Sequence, residues 1–167
     1  MAMTKKIQTL VLLTMLSTLV SCGFSLRSSE NFSAQLPTLG LNLQQGQSEF
    51  SQLLSDALQN AGVTVTSSEP QLLLSISDEQ LNSRPITVDP SARAAQYELN
   101  LSINIQLTQG DEFILAPQTL SVTKSYFQDI ENLSGAQEEV EIISNEMRSE
   151  LVNQLMRRLQ SISLSTN

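Results

Sequence analysis

Few side chains in this chain could carry chemistry, and most of those that could are carboxylates. The 167 residues include no histidine and one cysteine, which excludes nucleophiles activated by a histidine base and zinc sites built from Cys and His. A carboxylate-dependent hydrolase would have to use acids from the segments between regular patterns. These acids are Asp89, Asp111, Glu112 and Asp129. No spacing pairs them into a motif, so we expect no catalytic residues, no metal site and no cofactor.

The balance of charge restricts the kind of partner. Seventeen acidic residues against nine basic ones give a formal charge of −8, which argues against nucleic acid as a partner. Three basic residues stand out as candidates for contact with a phosphate or with a carboxylate of a partner protein: Arg84, Arg93 and Lys124. The alternative is that the two arginines are solvated loop residues and that Lys124, near the end of a strand, is solvated too.

The only cysteine, Cys22, follows a segment with the features of a bacterial signal peptide. Lys5 and Lys6 precede an apolar stretch, Ile7–Val20, whose 14 residues are too few to span a bilayer as a helix. A small residue then stands directly before Cys22, as in a lipobox. We predict that residues 1–21 are a lipoprotein signal peptide, with diacylglycerol on the Cys22 sulfur and an acyl group on its new amino terminus. An ordinary signal peptide with a chance cysteine is the alternative.

The residues after Cys22 bear on localisation. Gly23 occupies the position where inner-membrane lipoproteins of enteric bacteria carry aspartate, so we expect anchoring in the outer membrane with the domain on the periplasmic side. Residues 22–35 are polar and serine-rich, which predicts a lipidated tether. Removal of residues 1–21 leaves seven basic and seventeen acidic residues, so the formal charge of the mature chain is −10.

The remaining residues, 36–167, predict a single α+β domain. Alternation of apolar and polar residues indicates strands, and apolar residues three and four positions apart indicate amphipathic helices. Two such helices on one face of a mostly antiparallel sheet of about four strands form a two-layer sandwich. In chain order, the patterns predict a strand at 39–43, a helix at 48–61 capped by Ser48, strands at 63–66 and 72–77, a loop at 82–95, a strand at 97–107, a hairpin turn at 109–112, a returning strand at 113–126 disturbed at Ala116–Pro117, and a helix at 134–162 opened by a Ser134–Gln137 capping box.

Several segments resemble the LPS-assembly lipoprotein LptE family. They are the lipobox with Cys22 and Gly23, the strand Ala95–Ile105 with its hairpin, the segment Lys124–Asp129, and the helix segment Glu146–Leu159. The resemblance implies a non-enzymatic plug inside the outer-membrane β-barrel LptD, which supports barrel assembly and the delivery of lipopolysaccharide to the cell surface. It also implies lipopolysaccharide contact through basic loop residues, for which Arg84, Arg93 and Lys124 are the candidates.

One further pattern fits the implied role. Asn and Gln residues alternate with the apolar residues of the long strand and form a wide uncharged polar surface, which suits the polar lumen of a barrel or, equally, bulk solvent. Two other functions remain open: a lipoprotein that binds a different envelope partner from the periplasmic side, and the carboxylate-dependent hydrolase.

Overall fold

Six strands and two helices form in the part of the chain that the computed structural model describes, residues 38–88, 94–129 and 133–165. The predicted signal peptide, the tether, Cys22 and Arg93 lie outside these residues. The elements are β1 (Thr38–Leu43), α1 (Glu49–Asn60), β2 (Thr64–Val65), β3 (Leu72–Ile76), β4 (Gln80–Val88), β5 (Ala94–Gln109), β6 (Glu112–Asp129) and α2 (Leu133–Ser165).

The long strand β5 organises the sheet. Strand β6 pairs antiparallel with one edge of β5, and β3 and β4 pair antiparallel with its other edge, one after the other. On the far side of β3, β1 and then β2 add in parallel. The sheet is therefore mixed and has six strands where about four were expected. Strand β2 falls within the strand predicted at 63–66, whereas β4 was not predicted. The predicted α+β architecture, with two helices on one sheet, is confirmed.

The predicted loop at 82–95 was wrong, because residues 82–88 belong to strand β4 and residues 94–95 already belong to β5. β3 and β4 pair one after the other with the same edge of β5, and residues 77–79 interrupt them. These three residues lie opposite only two residues of β5, because the flanking pairs are Ile76–Ile105 and Gln80–Ser102. Pro85 suggested a loop, but a proline is tolerated in a strand that pairs on one side only. In the described part of the chain β4 pairs with β5 alone, and its register shifts just after Pro85.

Both helices begin and end close to the predicted positions. The Ser48 hydroxyl caps α1 by accepting the Ser51 N–H at 3.2 Å, and Gly62 just beyond the helix has a positive φ of 76°. Helix α2 has 33 residues and exceeds its predicted range at both ends. The Ser134 side chain lies outside the described ones, so the capping box stays a prediction. No helix among the described residues combines the length and apolar composition of a membrane span.

The core lies between the helix layer and one face of the sheet. Alternate residues of β5 point into it, and α2 contributes one stripe three to four residues apart, as the period predicted. The residues with no accessible surface are Leu39, Leu54, Leu58, Leu74, Leu101, Leu107, Met147, Leu151, Leu155 and Leu159. This core places the odd-numbered residues of β5 under the helices and leaves the even-numbered ones on the opposite face.

Gly40 of β1 lies against the ring of Pro70, and this close approach predicts a measurable effect. A Cβ at Gly40 would come within 2.6 Å of Pro70 Cγ, so we expect Gly40→Ala to lower the free energy of unfolding by about 1–3 kcal/mol. Gly46 is the matched control, because nothing lies within 4 Å of a Cβ there; Gly46→Ala should change stability by less than about 0.5 kcal/mol. Urea unfolding compares the two, and equal midpoints would contradict the packing of Pro70 on β1.

Candidate functional site

Two of the three basic residues predicted to make functional contacts, Arg84 and Lys124, lie in the part of the chain that the structure describes. Each of them forms an ion pair with a glutamate of the same domain. Arg84 lies in β4 directly opposite Glu98 of β5, and its Nε donates to Glu98 Oε1 at 2.6 Å. The hydrogen bond to Glu98, and then the charge of Glu98, raise the pKa of the Arg84 guanidinium above its usual value. Its side chain is 75% exposed, so the remaining guanidinium N–H groups can still reach an external acceptor.

Lys124 lies well inside β6 rather than near the end of a strand. It pairs opposite the buried Leu99, which places it on the face covered by the helices. There its Nζ donates to Glu146 Oε2 of α2 at 2.6 Å, and only 32% of its side chain is exposed. The visible role of Lys124 is therefore to join α2 to the sheet. An external phosphate or carboxylate would compete with Glu146 for the ammonium group.

Arg84 and Lys124 do not form one site. Glu98, which holds Arg84, is an even-numbered residue of β5, whereas the residue opposite Lys124 is the odd-numbered Leu99. Side chains of successive strand residues point to opposite faces, so the two cations lie on opposite sides of the sheet. A single anionic group cannot bridge them. Arg93, the third candidate, lies outside the described residues and stays a prediction.

The structure also shows a cluster of charges that the sequence patterns did not reveal, centred on Arg148 of α2. Its Nε and Nη2 donate to the Glu79 carboxylate at 2.9–3.1 Å, and its Nη1 donates to Glu49 at 2.9 Å and to Asn145 at 2.6 Å. Arg148 and Glu79 are 17% and 16% exposed. The hydrogen bonds to Glu79 raise the pKa of Arg148 above its usual value, although partial burial opposes this. The cluster joins α1, α2 and the β3–β4 interruption.

The acids proposed for a hydrolase do not come together. Asp111 and Glu112 lie at the β5–β6 hairpin, whereas Asp129 ends β6 at the opposite end of the same strand. Asp89 lies outside the described residues. Within the described part of the chain no three Cys, Asp or Glu side chains are grouped so that they could hold a metal ion. Acids at opposite ends of an 18-residue strand cannot act on one bond.

The face of the sheet opposite the helices carries polar, mostly uncharged side chains. Cross-strand hydrogen bonds join Asn100 Nδ2 to Thr123 Oγ1 at 3.0 Å and Thr119 Oγ1 to Asn104 Oδ1 at 2.6 Å. The Arg84–Glu98 pair also lies here. We call this surface the open sheet face. Its central residues are Asn100, Ser102, Asn104, Gln106, Thr119, Ser121 and Thr123.

A shallow groove crosses this face beside the interruption between β3 and β4. Its volume is about 290 Å³, and polar side chains from β1, β3 and β5 line it, among them Asn42, Ser75 and Gln106. Ser77 fixes the interruption by donating its N–H to the Asn104 carbonyl and by accepting the Asn104 N–H on its hydroxyl. The groove offers amide and hydroxyl groups but no charged side chain, so it suits neutral hydrogen-bonding groups rather than an ion.

Comparison with known proteins places this architecture in a family. Residues 36–159 match the family model described as "LptE: Lipopolysaccharide-assembly". Two proteins named LPS-assembly lipoprotein LptE are similar: that of Photorhabdus laumondii is 27% identical over 92% of this chain and 86% of its own length, and that of Pectobacterium atrosepticum is 25% identical over 85% and 78%.

Solved structures show the same fold at low sequence identity. The rare lipoprotein B of Shewanella oneidensis has a TM-score of 0.71 at 17% identity, covering 77% of this chain and 98% of its own. A minor lipoprotein of Acinetobacter baumannii has a TM-score of 0.63 at 17% identity, covering 78% and 93%. The family is non-enzymatic, which argues against the hydrolase alternative on grounds independent of the separated acids. The chain belongs to the LptE family of lipopolysaccharide-assembly lipoproteins.

Proposed function

We propose that this protein is an outer-membrane lipoprotein that forms a complex with an LptD-like β-barrel and acts within it as a plug and assembly scaffold for lipopolysaccharide transport. The family match over residues 36–159 carries the proposal, since membership supports a role in lipopolysaccharide assembly. The fold is consistent with a scaffold. Its described surface offers a wide polar face and a small open groove, and the described loop acids lie at opposite ends of β6.

The polar character of the domain surface supports placement in a barrel lumen. The lumen of an outer-membrane barrel is lined with polar side chains, and a plug must satisfy them without exposing an apolar surface to water. The open sheet face offers amides and hydroxyls for this purpose. Of the two described candidates, Arg84 is better placed than Lys124 to contact an external phosphate of lipopolysaccharide or a barrel carboxylate, because its side chain is 75% exposed and keeps further N–H donors. Arg93 and Lys124 complete the proposed set.

Depletion of the protein in its host tests the role in lipopolysaccharide assembly. We expect less correctly assembled barrel in the outer membrane and less lipopolysaccharide at the cell surface, measured on the same cells by membrane fractionation and surface labelling. Re-expression of the wild-type protein should restore both. Normal barrel maturation and normal surface lipopolysaccharide after depletion would reject the proposal and favour the alternative of a different envelope partner.

Cys22→Ala tests the proposed anchor. The variant lacks the thiol that accepts diacylglycerol, so the precursor should remain uncleaved, larger by the 21 residues of the signal peptide and without acyl chains. Acyl chains hold a protein on a membrane with about 0.8 kcal/mol per buried CH₂. When the leader of the Cys22→Ala variant is replaced by one that the ordinary signal peptidase cleaves, the mature variant lacks these chains and should appear in the soluble fraction. Mass spectrometry of the mature wild-type protein should show the lipid on Cys22. Cleavage and normal release of Cys22→Ala by the ordinary signal peptidase would contradict the lipobox.

A further inference from the structure

A short row of exposed apolar side chains crosses the open sheet face at the end that carries the β5–β6 hairpin. Leu73 of β3 and Phe113 of β6 lie on either side of Thr108, and they are 37% and 55% exposed. Gly40 of β1 extends the row beyond Leu73, and the Pro70 ring lies over its backbone because Gly40 has no side chain. We call Pro70, Leu73 and Phe113 the hairpin-end row. Grouped apolar side chains that remain exposed are typical of a surface that another segment covers.

The chain enters the sheet beside this row. Strand β1 begins at Thr38 and reaches Gly40 two residues later, directly next to Leu73. Pro37, the residue before β1, has no N–H to donate to a neighbouring strand. Because β1 pairs with strands on both sides, the loss of this donor ends its ladder at the hairpin end of the sheet. The segment that precedes β1 therefore starts next to the hairpin-end row.

This preceding segment carries apolar side chains of its own. Residues 23–37 are rich in serine, but they also include four large apolar residues: Phe24, Leu26, Phe32 and Leu36. On a tether surrounded by water these side chains would be exposed, which is unfavourable compared with contact against an apolar surface. Arg27 is the basic residue of the segment, and the hairpin carries the acids Asp111 and Glu112. The segment therefore matches the hairpin end in apolar character and in charge.

The length of the segment decides which apolar residue can reach which part of the row. Phe113 lies three strands from β1, roughly 14 Å at about 4.8 Å per strand. Phe32 precedes Thr38 by six residues, which span at most about 21 Å, so it can reach Phe113. Leu36 precedes Thr38 by two residues and can reach Leu73, which lies in the strand next to β1. Because the segment is part of the same chain, its effective concentration at the row is high.

We infer that residues 23–37 fold back across the hairpin end of the open sheet face, where Leu36 packs on Leu73 and Phe32 packs on Phe113. The free part of the chain between Cys22 and the domain is then ten residues long instead of sixteen, and it spans at most about 36 Å instead of about 58 Å. With the proposed lipid on Cys22, this contact limits how far the domain moves from the membrane. The contact itself is independent of the lipid and of the barrel partner.

Disulfide formation between introduced cysteines tests the contact in the full-length protein, purified from membranes in detergent. Ala34→Cys, between Phe32 and Leu36, should join Thr108→Cys, between Leu73 and Phe113, which leaves all four apolar contacts intact. Val65→Cys is the matched control for Ala34→Cys, because it is 40% exposed and lies in β2, within the same reach of Thr38.

The two pairs separate a docked segment from a free one. We expect the pair with Thr108→Cys to form its disulfide at least about tenfold faster than the pair with Val65→Cys, with the joined positions identified by peptide mapping. Thr123→Cys, exposed on the same face but beyond the reach of residue 34, reports disulfides between two molecules. Equal rates for Thr108→Cys and Val65→Cys would show a freely moving segment and overturn the inference.

Substitution of the row gives an independent readout. A docked Phe32 is protected from chymotrypsin, so the double variant Leu73→Ser/Phe113→Ser should be cleaved after Phe32 at least about tenfold faster than the wild type. Phe127→Ser is the matched control, because Phe127 is 67% exposed on the same face at the opposite end of β6. Its cleavage rate should equal that of the wild type, and circular dichroism shows whether each variant is folded. Equal rates in the double variant and the wild type would contradict the contact.

A photoprobe in cells distinguishes the segment from other occupants of the row. Benzoylphenylalanine at Phe113 keeps an aromatic ring at this position and should form an adduct within the same chain, on residues 28–37. Adducts with the barrel, with lipopolysaccharide or with a second copy of this chain in place of the internal adduct would overturn the inference. The internal adduct should persist in cells depleted of the barrel, so failure of the proposed partnership is distinguished from failure of the contact.

Discussion

Leu101→Ala is expected to lower the free energy of unfolding by about 3–5 kcal/mol, the largest effect of any single truncation considered for this domain. Leu101 lies in the middle of β5 with no accessible surface, packed in the core under the helix layer. The substitution removes buried methyl groups and leaves a cavity that the surrounding sheet cannot close fully, since its neighbours are fixed by strand pairing on both sides. Thermal unfolding of the mature domain should show a midpoint lower by roughly 10 °C.

Leu81→Ala is the matched control for this substitution. Leu81 of β4 pairs directly with Leu101 and points to the same side of the sheet, but it is 41% exposed because β4 extends beyond the helices. Its truncation should cost about 1 kcal/mol. If Leu101→Ala lowered the free energy of unfolding no more than Leu81→Ala does, the two-layer core would be contradicted. The leucine in β5 would then be no more buried in solution than the leucine in β4.

Arg148→Met is expected to destabilise the domain by about 2–4 kcal/mol. The substitution keeps the aliphatic stem but leaves the largely buried Glu79 carboxylate without its main hydrogen-bond donor. Replacement of both partners, Arg148→Met with Glu79→Leu, should recover much of the loss, because the cost comes mainly from the unpaired charge. Urea unfolding of the two single variants and the double variant gives the coupling free energy directly.

Lys124→Met provides the control for this charge pair. The N–O distance of the Lys124–Glu146 pair, 2.6 Å, is shorter than the 2.9 Å of the Arg148–Glu79 pair, but its glutamate is 59% exposed, so the loss should stay within about 1 kcal/mol. Additive effects of Arg148→Met and Glu79→Leu would show that the two side chains do not interact in solution. Additivity would also remove the proposed link between α2 and the β3–β4 interruption.

The regular parts of the fold follow from local patterns in the sequence. Strict alternation from Tyr97 to Leu107 predicts β5 and its buried side, because one polar and one apolar face require period two. Ser48 and Gly62 mark the ends of α1, since each satisfies a local backbone requirement. The Met147–Leu159 stripe predicts the buried side of α2. These features depend on neighbours within a few residues, which a sequence displays directly.

The features that the sequence did not reveal depend on distant residues. Arg148 meets Glu79 and Glu49, 69 and 99 residues away, and no local pattern indicates either partner. Pro85 and the polar residues around it suggested a loop, whereas pairing with β5 makes this segment an edge strand of the described sheet. Lys124 looked like an exposed cation because its partner Glu146 lies on another element. Tertiary pairing decided each of these outcomes.

The most direct test of the proposed function is affinity purification of the tagged, full-length lipoprotein from detergent-solubilised outer membranes of its own host. We predict that an LptD-like β-barrel copurifies in about one-to-one amount, identified by mass spectrometry of the complex, and that the domain within the complex resists added protease. Two results together would contradict the proposal. The tagged protein, correctly lipidated at Cys22, would copurify with no such barrel, and cells depleted of the protein would keep normal barrel and normal surface lipopolysaccharide.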